Sequence, residues 1–384
     1  MGDDNNDMSA LGPGFDYDVC VVGTGRVGLP LALSLMEAGH RVVGVDRSPA
    51  VRDAVRSGKM PWKEPGYDDL IARKELSVHV EMAVAGRARF VIITVGTPLH
   101  WHVESDLGQV QAVLESLAPH LRAGQMLVLR STISPGTTAF VGRWLARHTS
   151  LVLGEELMLA FCPERIAEGQ AREELASLPQ VVGADDPTSH AMGAELFRTI
   201  APKVLHTDPV SAELVKLFTN MVRYVNFAVA NQLTLVAERF GANIYDIREM
   251  ANLDYPRENI PKPGLTAGSC LRKDFGMLSE WSAYPDLFLM AWKVNEHMPV
   301  FLVERLLERT PIHDRKVALL GWTFKADTDD PRDSLSPKLY RYLNRELPHE
   351  VRVSDHHLGR EIEDQSIGTL RNWSVKEAVE GCDI

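Results

Sequence analysis

The 384-residue chain has few cysteines, no excess of positive charge and no long apolar run. Its four cysteines, at positions 20, 162, 270 and 382, are too few for a disulfide framework, and none has the spacing of zinc ligands, so we expect no metal site. Asp plus Glu number 52 against 41 Lys plus Arg, and the net charge of −11 argues against binding to nucleic acid or to an anionic membrane surface. The lack of a transmembrane-length run and of a signal-peptide pattern predicts a cytoplasmic protein.

Hydrophobic patterning divides the chain into four parts. Residues 1–15 are polar and acidic, which predicts a disordered leader. Residues 16–205 alternate β-branched apolar runs with helical stretches, as in a doubly wound, Rossmann-type α/β domain. Residues 206–310 are mostly helical and include a long helix predicted at 211–240. Residues 311–384 begin a second, Rossmann-like α/β domain, which we expect to be incomplete because the chain stops where a third strand is due.

The first glycine-rich turn has the context of a dinucleotide site. The sequence GTGRVG at 23–28 follows a strand-type run and opens a helix, and Asp46 ends the next strand. Glycines let the backbone approach a pyrophosphate at the helix N-terminus, and an acid in this place binds ribose hydroxyls and disfavours a 2′-phosphate, so NAD is the predicted cofactor. A tight turn without a ligand is the alternative. The predicted contacts here are Gly23, Gly25, Val27, Gly28 and Asp46.

Two further segments carry reactive side chains. Cys270 follows a glycine-rich stretch that lets a substrate approach, and a helix predicted to begin near Asp274 would lower the pKa of its thiol. A buried, inert thiol is the alternative. Glu164 and Glu168 follow a strand end, where α/β sheets bind ligands, although such carboxylates also occur in solvated loops.

Two more segments suit a phosphorylated, oxygen-rich substrate. Lys216 and Asn220 are spaced i, i+4 on the long helix, so they share a face that can hold an oxyanion. The segment 321–332 pairs aromatic residues, which suit a base or sugar, with Lys325 and Arg332, which suit phosphates. A solvated lysine and an acidic surface loop are the alternatives.

In this order, the motifs resemble those of the UDP-glucose/GDP-mannose dehydrogenase family. The resemblance runs from about residue 17 to the end of the chain. It is carried by segments 23–30, 95–99, 131–138, 163–169, 216–232, 263–274 and 321–334. It implies NAD-dependent, four-electron oxidation of the C6 hydroxyl of a nucleotide sugar to a carboxylate. UDP-glucose is the favoured substrate, with UDP-N-acetylhexosamines and GDP-mannose as alternatives.

The resemblance also assigns roles to residues. Asp274 and Lys216, with a water held by Asn220, remove the hydroxyl proton; Cys270 forms a thiohemiacetal that is oxidised to a thioester; Glu164 assists its hydrolysis through water. The implied cofactor contacts are Thr97, Thr132, Glu168 and Arg332. Thr132 resembles the family threonine near the nicotinamide and the catalytic water, so it is also an expected catalytic residue. The implied substrate contacts are Glu164, Lys216, Asn220, Arg257, Gly268, Phe324 and Lys325. Because Arg257 resembles an arginine that acts on the partner subunit's substrate, a homodimer or higher homo-oligomer is expected.

Three features of the sequence depart from the family pattern. Arg272 stands where many members have proline, TAGSC replaces a commoner lead-in to the cysteine, and Trp322 stands where a smaller residue is usual, so the sugar is left open.

Two other functions compete with this one. A 3-hydroxyacid dehydrogenase would also use Lys216 and Asn220 but has no use for Cys270. A sugar-nucleotide-binding protein without turnover is the alternative of another class.

Overall fold

The computed structural model of the chain describes residues 14–98, 106–257 and 259–384. The chain divides into two compact units, Met1–Leu217 and Phe218–Ile384. The leader predicted at 1–15 falls almost entirely outside the described residues, and the predicted domain boundaries near 205 and 310 stay predictions.

The first unit is built on a sheet of eight strands. They are β1 (Tyr17–Val22), β2 (Val42–Val45), β3 (Ser77–His79), β4 (Ala88–Ile93), β5 (Gln125–Leu129), β6 (Leu157–Phe161), β7 (Gln180–Gly183) and β8 (Val204–Thr207). Their order is β3-β2-β1-β4-β5-β6-β7-β8, and all neighbours are parallel except β6 and β7. The order 3-2-1-4-5-6 is that of dinucleotide-binding α/β domains, which confirms the predicted fold class.

The inner strands of this sheet are buried on both faces, whereas the edge strands β3 and β8 are partly exposed. In β1, Val19 and Val21 join one hydrophobic core, whereas Cys20 and Val22 join a second core on the opposite face. Successive side chains of a strand point to opposite faces, so a strand covered on both sides reads as a continuous apolar run. This explains why the alternating apolar runs of residues 16–205 predicted an α/β sheet.

Seven helices of the first unit cover the sheet, in the part of the chain that the structure describes. They are α1 (Gly28–Glu37), α2 (Pro49–Ser57), α3 (Asp68–Ala72), α4 (Gly108–Leu117), α5 (Thr137–His148), α6 (Ala171–Ser177) and α7 (Pro187–Phe197). Short 3₁₀ turns occupy Met82–Arg87 and Ala118–His120. The ends of α2 follow from local sequence: Ser48 caps its N-terminus, Pro49 opens it, and Gly58 ends it in the left-handed conformation.

The long helix α8 (Pro209–Arg239) begins in the first unit and ends in the second. Gly241, at φ +67°, follows its end, close to the predicted limits of 211–240. Three further helices follow: α9 (Ile244–Asn252), α10 (Ser269–Ser279) and α11 (Asp286–Leu307). Among the described residues, no helix is both long and apolar enough to cross a bilayer.

The end of the second unit is a small α/β region. Its elements are β9 (Lys316–Leu320), α12 (Ser336–Arg345), β10 (Glu350–Ser354), β11 (Glu361–Asp364), β12 (Gly368–Arg371) and α13 (Val375–Val379). Strands β9 and β10 are parallel, and β11 and β12 form an antiparallel pair. The backbone of Ile384 exchanges hydrogen bonds with Lys316 and Ala318 of β9.

Three features differ from the sequence-based expectations. Strands β11 and β12 were not predicted, because mostly exposed polar residues give them no apolar run. Helix α10 begins at Ser269 rather than near Asp274, because Gly268, at φ +100°, already ends the extended segment before it. The Trp322 side chain, expected to face a base or sugar, is buried in a core of the second unit, where its ring meets that of Tyr340 edge-on.

Candidate active site

The three glycines of the first turn meet different surroundings. Gly23 has φ +94°, which favours glycine. A Cβ added to Gly28 would lie 2.0 Å from the carbonyl oxygen of Gly23, so only glycine fits there. A Cβ added to Gly25 would meet none of the described atoms within 4 Å. The turn is therefore packed at Gly28 and open at Gly25, where a ligand can approach the backbone.

Helix α1 starts at this turn with its N-terminus uncapped by any described side chain. It begins at Gly28 after Val27. The first N–H groups of a helix have no partner within the helix, and they carry a partial positive charge. This end is therefore suited to a phosphate group.

Asp46 lies at the end of β2, beside the glycine turn. Its carboxylate accepts hydrogen bonds from the Thr24 hydroxyl (3.2 Å) and from the backbone N–H of Ser48 (2.8 Å), and it is only half-buried. These bonds fix the carboxylate at the edge of the sheet where ribose hydroxyls would be bound. The guanidinium of Arg26, within the same turn, lies 3.8 Å from the carboxylate of Glu168. Glu168, a predicted cofactor contact, is therefore close to the glycine turn.

The segments that follow β4 and β5 hold one another. Thr97, which is buried, donates its hydroxyl hydrogen bond to the backbone carbonyl of Thr132, and the Ser131 hydroxyl donates to the carbonyl of Val95 (2.7 Å). Parallel strands end at one edge of the sheet, so Thr97 and Thr132 lie together at the edge that bears the glycine turn. The side chain of Thr132 is half-buried there.

Glu213 was not singled out from the sequence, yet its side chain is 1% exposed and fully hydrogen-bonded. It accepts from the backbone N–H of Gly136 (2.6 Å) and from both the N–H (2.8 Å) and the hydroxyl (2.6 Å) of Thr138. Burial raises the pKa of Glu213, although the hydrogen bonds from Thr138 and Gly136 oppose the shift. Lys216, also buried, follows one turn later on α8.

Buried polar groups hold the segment that carries Glu164. Arg130 donates to the carbonyl of Cys162 (3.2 Å) and to the Gln180 side chain (2.9 Å), and Gln180 donates to the carbonyl of Pro163 (3.2 Å). Glu164 itself is 7% exposed and accepts a hydrogen bond from the N–H of Ile166. The segment after β6 is therefore fixed, with a carboxylate at a defined place.

Two thiols of the first unit are unreactive by their environment. Burial raises the pKa of Cys20 and of Cys162 to about 12. Both thiols stay protonated at neutral pH, and the thiolate is the nucleophile. Cys162 and Cys20 belong to the two hydrophobic cores on either side of the sheet.

In the second unit, Asn220 of α8 meets Asp274 of α10. The Asn220 side-chain amide donates a 2.6 Å hydrogen bond to a carboxylate oxygen of Asp274, and the two side chains are 6% and 1% exposed. Position 270 lies in the first turn of α10, four residues before Asp274. Two of the residues expected to act on the C6 hydroxyl are thus in direct contact.

The start of α10 touches the loop after β9. A Cβ added to Gly268 would come within 2.8 Å of the Phe324 ring, and the N–H of Gly268 donates to the carbonyl of Asp333 (3.1 Å). Lys325, half-buried, is in the same loop. The structure thus brings three predicted substrate residues, Gly268, Phe324 and Lys325, into one region of the second unit.

Asp355 fixes that loop and was also missed from the sequence. Its carboxylate accepts from the N–H of Trp322 (2.8 Å), the N–H of Thr323 (3.0 Å) and the Thr323 hydroxyl (3.2 Å). Burial alone would raise the pKa of Asp355, but the N–H groups of Thr323, Trp322 and His357 together hold it below its usual range. The sequence did contain a signal for Asp355. It follows the second strand of its α/β region, as Asp46 follows the second strand of the first unit.

Two predicted arginines have local partners. Arg257 is exposed, with its guanidinium 4.8 Å from the centre of the Tyr255 ring. Arg332 makes an ion pair of 2.6 Å with Asp330. Their contacts with substrate and cofactor stay predictions.

Family models match most of the chain. The NAD binding domain of the UDP-glucose/GDP-mannose dehydrogenase family matches residues 17–201, and the central domain of the same family matches residues 210–297. The chain belongs to the UDP-glucose/GDP-mannose dehydrogenase family. NAD is therefore its cofactor, and the glycine turn with Asp46 has the chemistry to bind it.

Individual members of the family are similar over nearly the whole chain. A UDP-N-acetyl-D-mannosamine dehydrogenase from Methanocaldococcus jannaschii is 32% identical over 377 residues, which cover 97% of this chain and 85% of that protein. The structure of UDP-D-ManNAc dehydrogenase from Pyrococcus horikoshii has a TM-score of 0.86 at 30% identity and covers 95% of this chain and 87% of its own. A UDP-glucose dehydrogenase from Pyrobaculum islandicum has a TM-score of 0.82 at 29% identity, with 90% and 83% covered. The chain is thus an NAD-dependent nucleotide-sugar dehydrogenase.

Proposed function

We propose that this dehydrogenase oxidises the C6 hydroxyl of a UDP-N-acetylhexosamine, UDP-N-acetyl-D-mannosamine first, to the carboxylate. The observation that carries the chemistry is the buried hydrogen bond between Asn220 and Asp274, one helical turn from Cys270. It gives a carboxylate and an amide in a buried environment, close along the helix to a cysteine in its first turn.

In the first oxidation the chain removes a proton from the substrate. Asp274 and Lys216, through a water held by Asn220, take the hydroxyl proton while a hydride leaves C6. When bound, NAD⁺ supplies the acceptor for the hydride that leaves C6 in each of the two oxidations. The donor capacity of Lys216 and Asn220 stabilises the alkoxide that develops on the C6 oxygen.

Cys270 then keeps the aldehyde bound. Its sulfur adds to C6 of the aldehyde while the thiol proton passes to the carbonyl oxygen, which gives a thiohemiacetal. Removal of that hydroxyl proton together with the second hydride converts the adduct to a thioester. Water, activated by Glu164, attacks the thioester carbonyl; the C–S bond breaks, the thiol is restored and the carboxylate is released. Asp274, Lys216 and Asn220 serve both halves of the reaction, because in each half negative charge develops on the oxygen bonded to C6.

The remaining predicted residues bind the two ligands. Gly23, Gly25, Val27, Gly28 and Asp46 hold the adenosine diphosphate end of NAD⁺, and Thr97, Thr132, Glu168 and Arg332 complete its site. Gly268, Phe324 and Lys325 bind the nucleotide sugar, together with Arg257 of a second copy of the chain. The contact of Phe324 with Gly268 supports this grouping in the second unit.

The sugar is chosen by similarity. The sequence alone favoured UDP-glucose, but the relatives from Methanocaldococcus jannaschii and Pyrococcus horikoshii are UDP-N-acetylmannosamine dehydrogenases by name. UDP-glucose is the second candidate, because the Pyrobaculum islandicum enzyme is similar at nearly the same identity. The cytoplasmic location expected from the sequence stays a prediction.

The exposed face of α8 supports a homodimer. Val222, Val229 and Val236, here called the α8 stripe, repeat every seven residues and are 60%, 48% and 49% exposed. Residues seven apart lie on one face of a helix, and an apolar face of this length is typical of a helix-to-helix interface. Phe218, four residues before Val222 on α8, is also exposed and extends the same apolar face.

The substrate assignment is tested by initial rates of NADH formation with UDP-N-acetyl-D-mannosamine, UDP-glucose and GDP-mannose in parallel. We expect the highest kcat/KM with UDP-N-acetyl-D-mannosamine. A higher kcat/KM with UDP-glucose would contradict the substrate proposal and leave the reaction type intact, and the absence of NADH with all three would contradict both.

A further inference from the structure

The N-terminus of α5 binds a carboxylate of the protein itself, that of Glu213. Gly136 caps this helix at φ +86°, and its N–H and that of Thr138 both point to the Glu213 carboxylate. The N-terminus of α1, by contrast, has no described side chain as its cap. Helix α5 is therefore closed to a ligand's phosphate, and its N-terminal charge is used to bind α8.

The three hydrogen bonds to Glu213 join two elements that are distant in sequence. Glu213 is the fifth residue of α8, whereas its partners open α5, more than seventy residues earlier. The carboxylate is almost completely withdrawn from water. Hydrogen bonds to a buried charge are roughly twice as strong as neutral ones, so this contact is a firm anchor between the two helices.

Each of these elements carries a residue of the proposed mechanism. The segment 131–136 leads into α5 and contains Thr132. The backbone carbonyl of Thr132 accepts a hydrogen bond from the Thr97 hydroxyl. Helix α8 presents Lys216 three residues after Glu213, one turn further along the same face. A lysine on four methylenes reaches a defined place only if the turn from which it projects is fixed.

We propose that Glu213 is a positioning residue: by capping α5 it fixes the turn of α8 that bears Lys216 against the Thr132 segment. Glu213 does not touch the substrate. This proposal rests on the proposed function, because it requires Lys216 to help remove the hydroxyl proton as hydride leaves C6. Small misplacements of such groups are costly, since about 1 Å can cost about a hundredfold in rate.

The test compares Glu213→Gln, which keeps the shape but loses the charge, with Glu156→Gln, an exposed glutamate that also accepts from one backbone N–H. Thr138→Val removes one of the three donors and leaves Glu213 in place. We expect Glu213→Gln to lower kcat about 10- to 100-fold, Thr138→Val to lower it less, and Glu156→Gln to leave it unchanged. Glu213→Asp, which restores the charge, should recover part of the loss.

Two readouts separate positioning from a loss of folded enzyme. With nucleotide sugar deuterated at C6, the isotope effect on kcat/KM should rise in Glu213→Gln, because hydride transfer becomes slower than the other steps. A smaller fraction of active enzyme would lower kcat without changing the isotope effect. Amide hydrogen exchange in the peptide 131–138 should also become faster in Glu213→Gln, and stay unchanged in Glu156→Gln.

The outcomes are distinct. Unchanged exchange in 131–138 overturns the anchor, and faster exchange with unchanged kcat and isotope effect overturns the positioning role. A wild-type chain that oxidises none of the nucleotide sugars overturns the proposed function and the positioning role with it, while exchange, which needs no substrate, still reports on the anchor.

Discussion

In the proposed mechanism, Asp274 is the side chain on which the chemistry depends most directly. It is buried, it lies one turn after Cys270 on α10, and a 2.6 Å hydrogen bond joins it to Asn220. A general base must be held within hydrogen-bond reach of the proton that it removes, and an amide that donates to one carboxylate oxygen fixes the direction of the other. The Asn220 amide would therefore orient Asp274 as the proposed base.

Replacement of Asp274 by asparagine tests this role. We expect kcat to fall about 10²- to 10⁴-fold, the usual contribution of a positioned general base, while NAD⁺ binding stays unchanged. Asp286→Asn, at an exposed aspartate in the first turn of α11, is the control and should retain wild-type kcat. An Asp274→Asn enzyme within about twofold of wild-type kcat would exclude Asp274 as the base.

At the scale of elements, the first glycine turn separates packing from binding. A side chain at position 28 would clash with the carbonyl oxygen of Gly23, whereas a Cβ at position 25 would meet no described atom within 4 Å. We expect Gly28→Ala to lower the melting temperature of the protein. Gly25→Ala should keep that temperature and raise the Kd for NAD⁺, because the new methyl group occupies the approach of the pyrophosphate. Calorimetry and NAD⁺ titration check the pair; wild-type NAD⁺ affinity in Gly25→Ala would contradict this placement of the cofactor.

Asp355 gives a prediction for acid stability. Its pKa lies below the usual range in the folded protein, so its carboxylate stabilises the fold above the unfolded pKa of about 4, and this contribution is lost as pH falls through the folded pKa. Asp355→Asn should lower the free energy of unfolding by about 1–3 kcal/mol at pH 7, and its difference from wild type should shrink below about pH 4. Urea unfolding against pH measures this.

The control for that series is Asp246→Asn, at an exposed residue of α9, which should follow the wild-type curve closely. A difference between wild type and Asp355→Asn that stays constant down to pH 3 would mean that the hydrogen bonds to Asp355 do not depend on its charge.

The elements show which features the sequence could predict. The doubly wound sheet was predictable because runs such as Val19–Val22 are buried on both faces, and the glycine turn was predictable because its spacing is dictated by close backbone approach. The β11–β12 pair lacks an apolar run, and Trp322 is buried by contacts distant in sequence. Glu213 and Asp355 become visible only once helix and strand ends are brought together, since acids at such positions are usually solvated.

For the whole molecule, the apolar face of α8 predicts association. We expect the wild-type chain to sediment as a dimer or a larger assembly of dimers, and Val229→Glu, in the centre of the α8 stripe, to shift it to monomer. Val80→Glu, at a valine of the first unit that is 53% exposed, should leave the assembly intact. Because Arg257 is proposed to act on the partner's substrate, the monomer should also lose activity, and a fully active monomer would contradict the dimer.

The NADH yield shows whether the reaction is a four-electron oxidation through a covalent adduct. UDP-N-acetyl-D-mannosamine is made limiting, NAD⁺ is in excess, and NADH is measured at completion with wild type and with Cys270→Ser. We expect two NADH for each sugar consumed by the wild-type enzyme, and no complete oxidation to the acid by Cys270→Ser. One NADH for each sugar, or full conversion to the acid without the thiol of Cys270, would contradict this expectation.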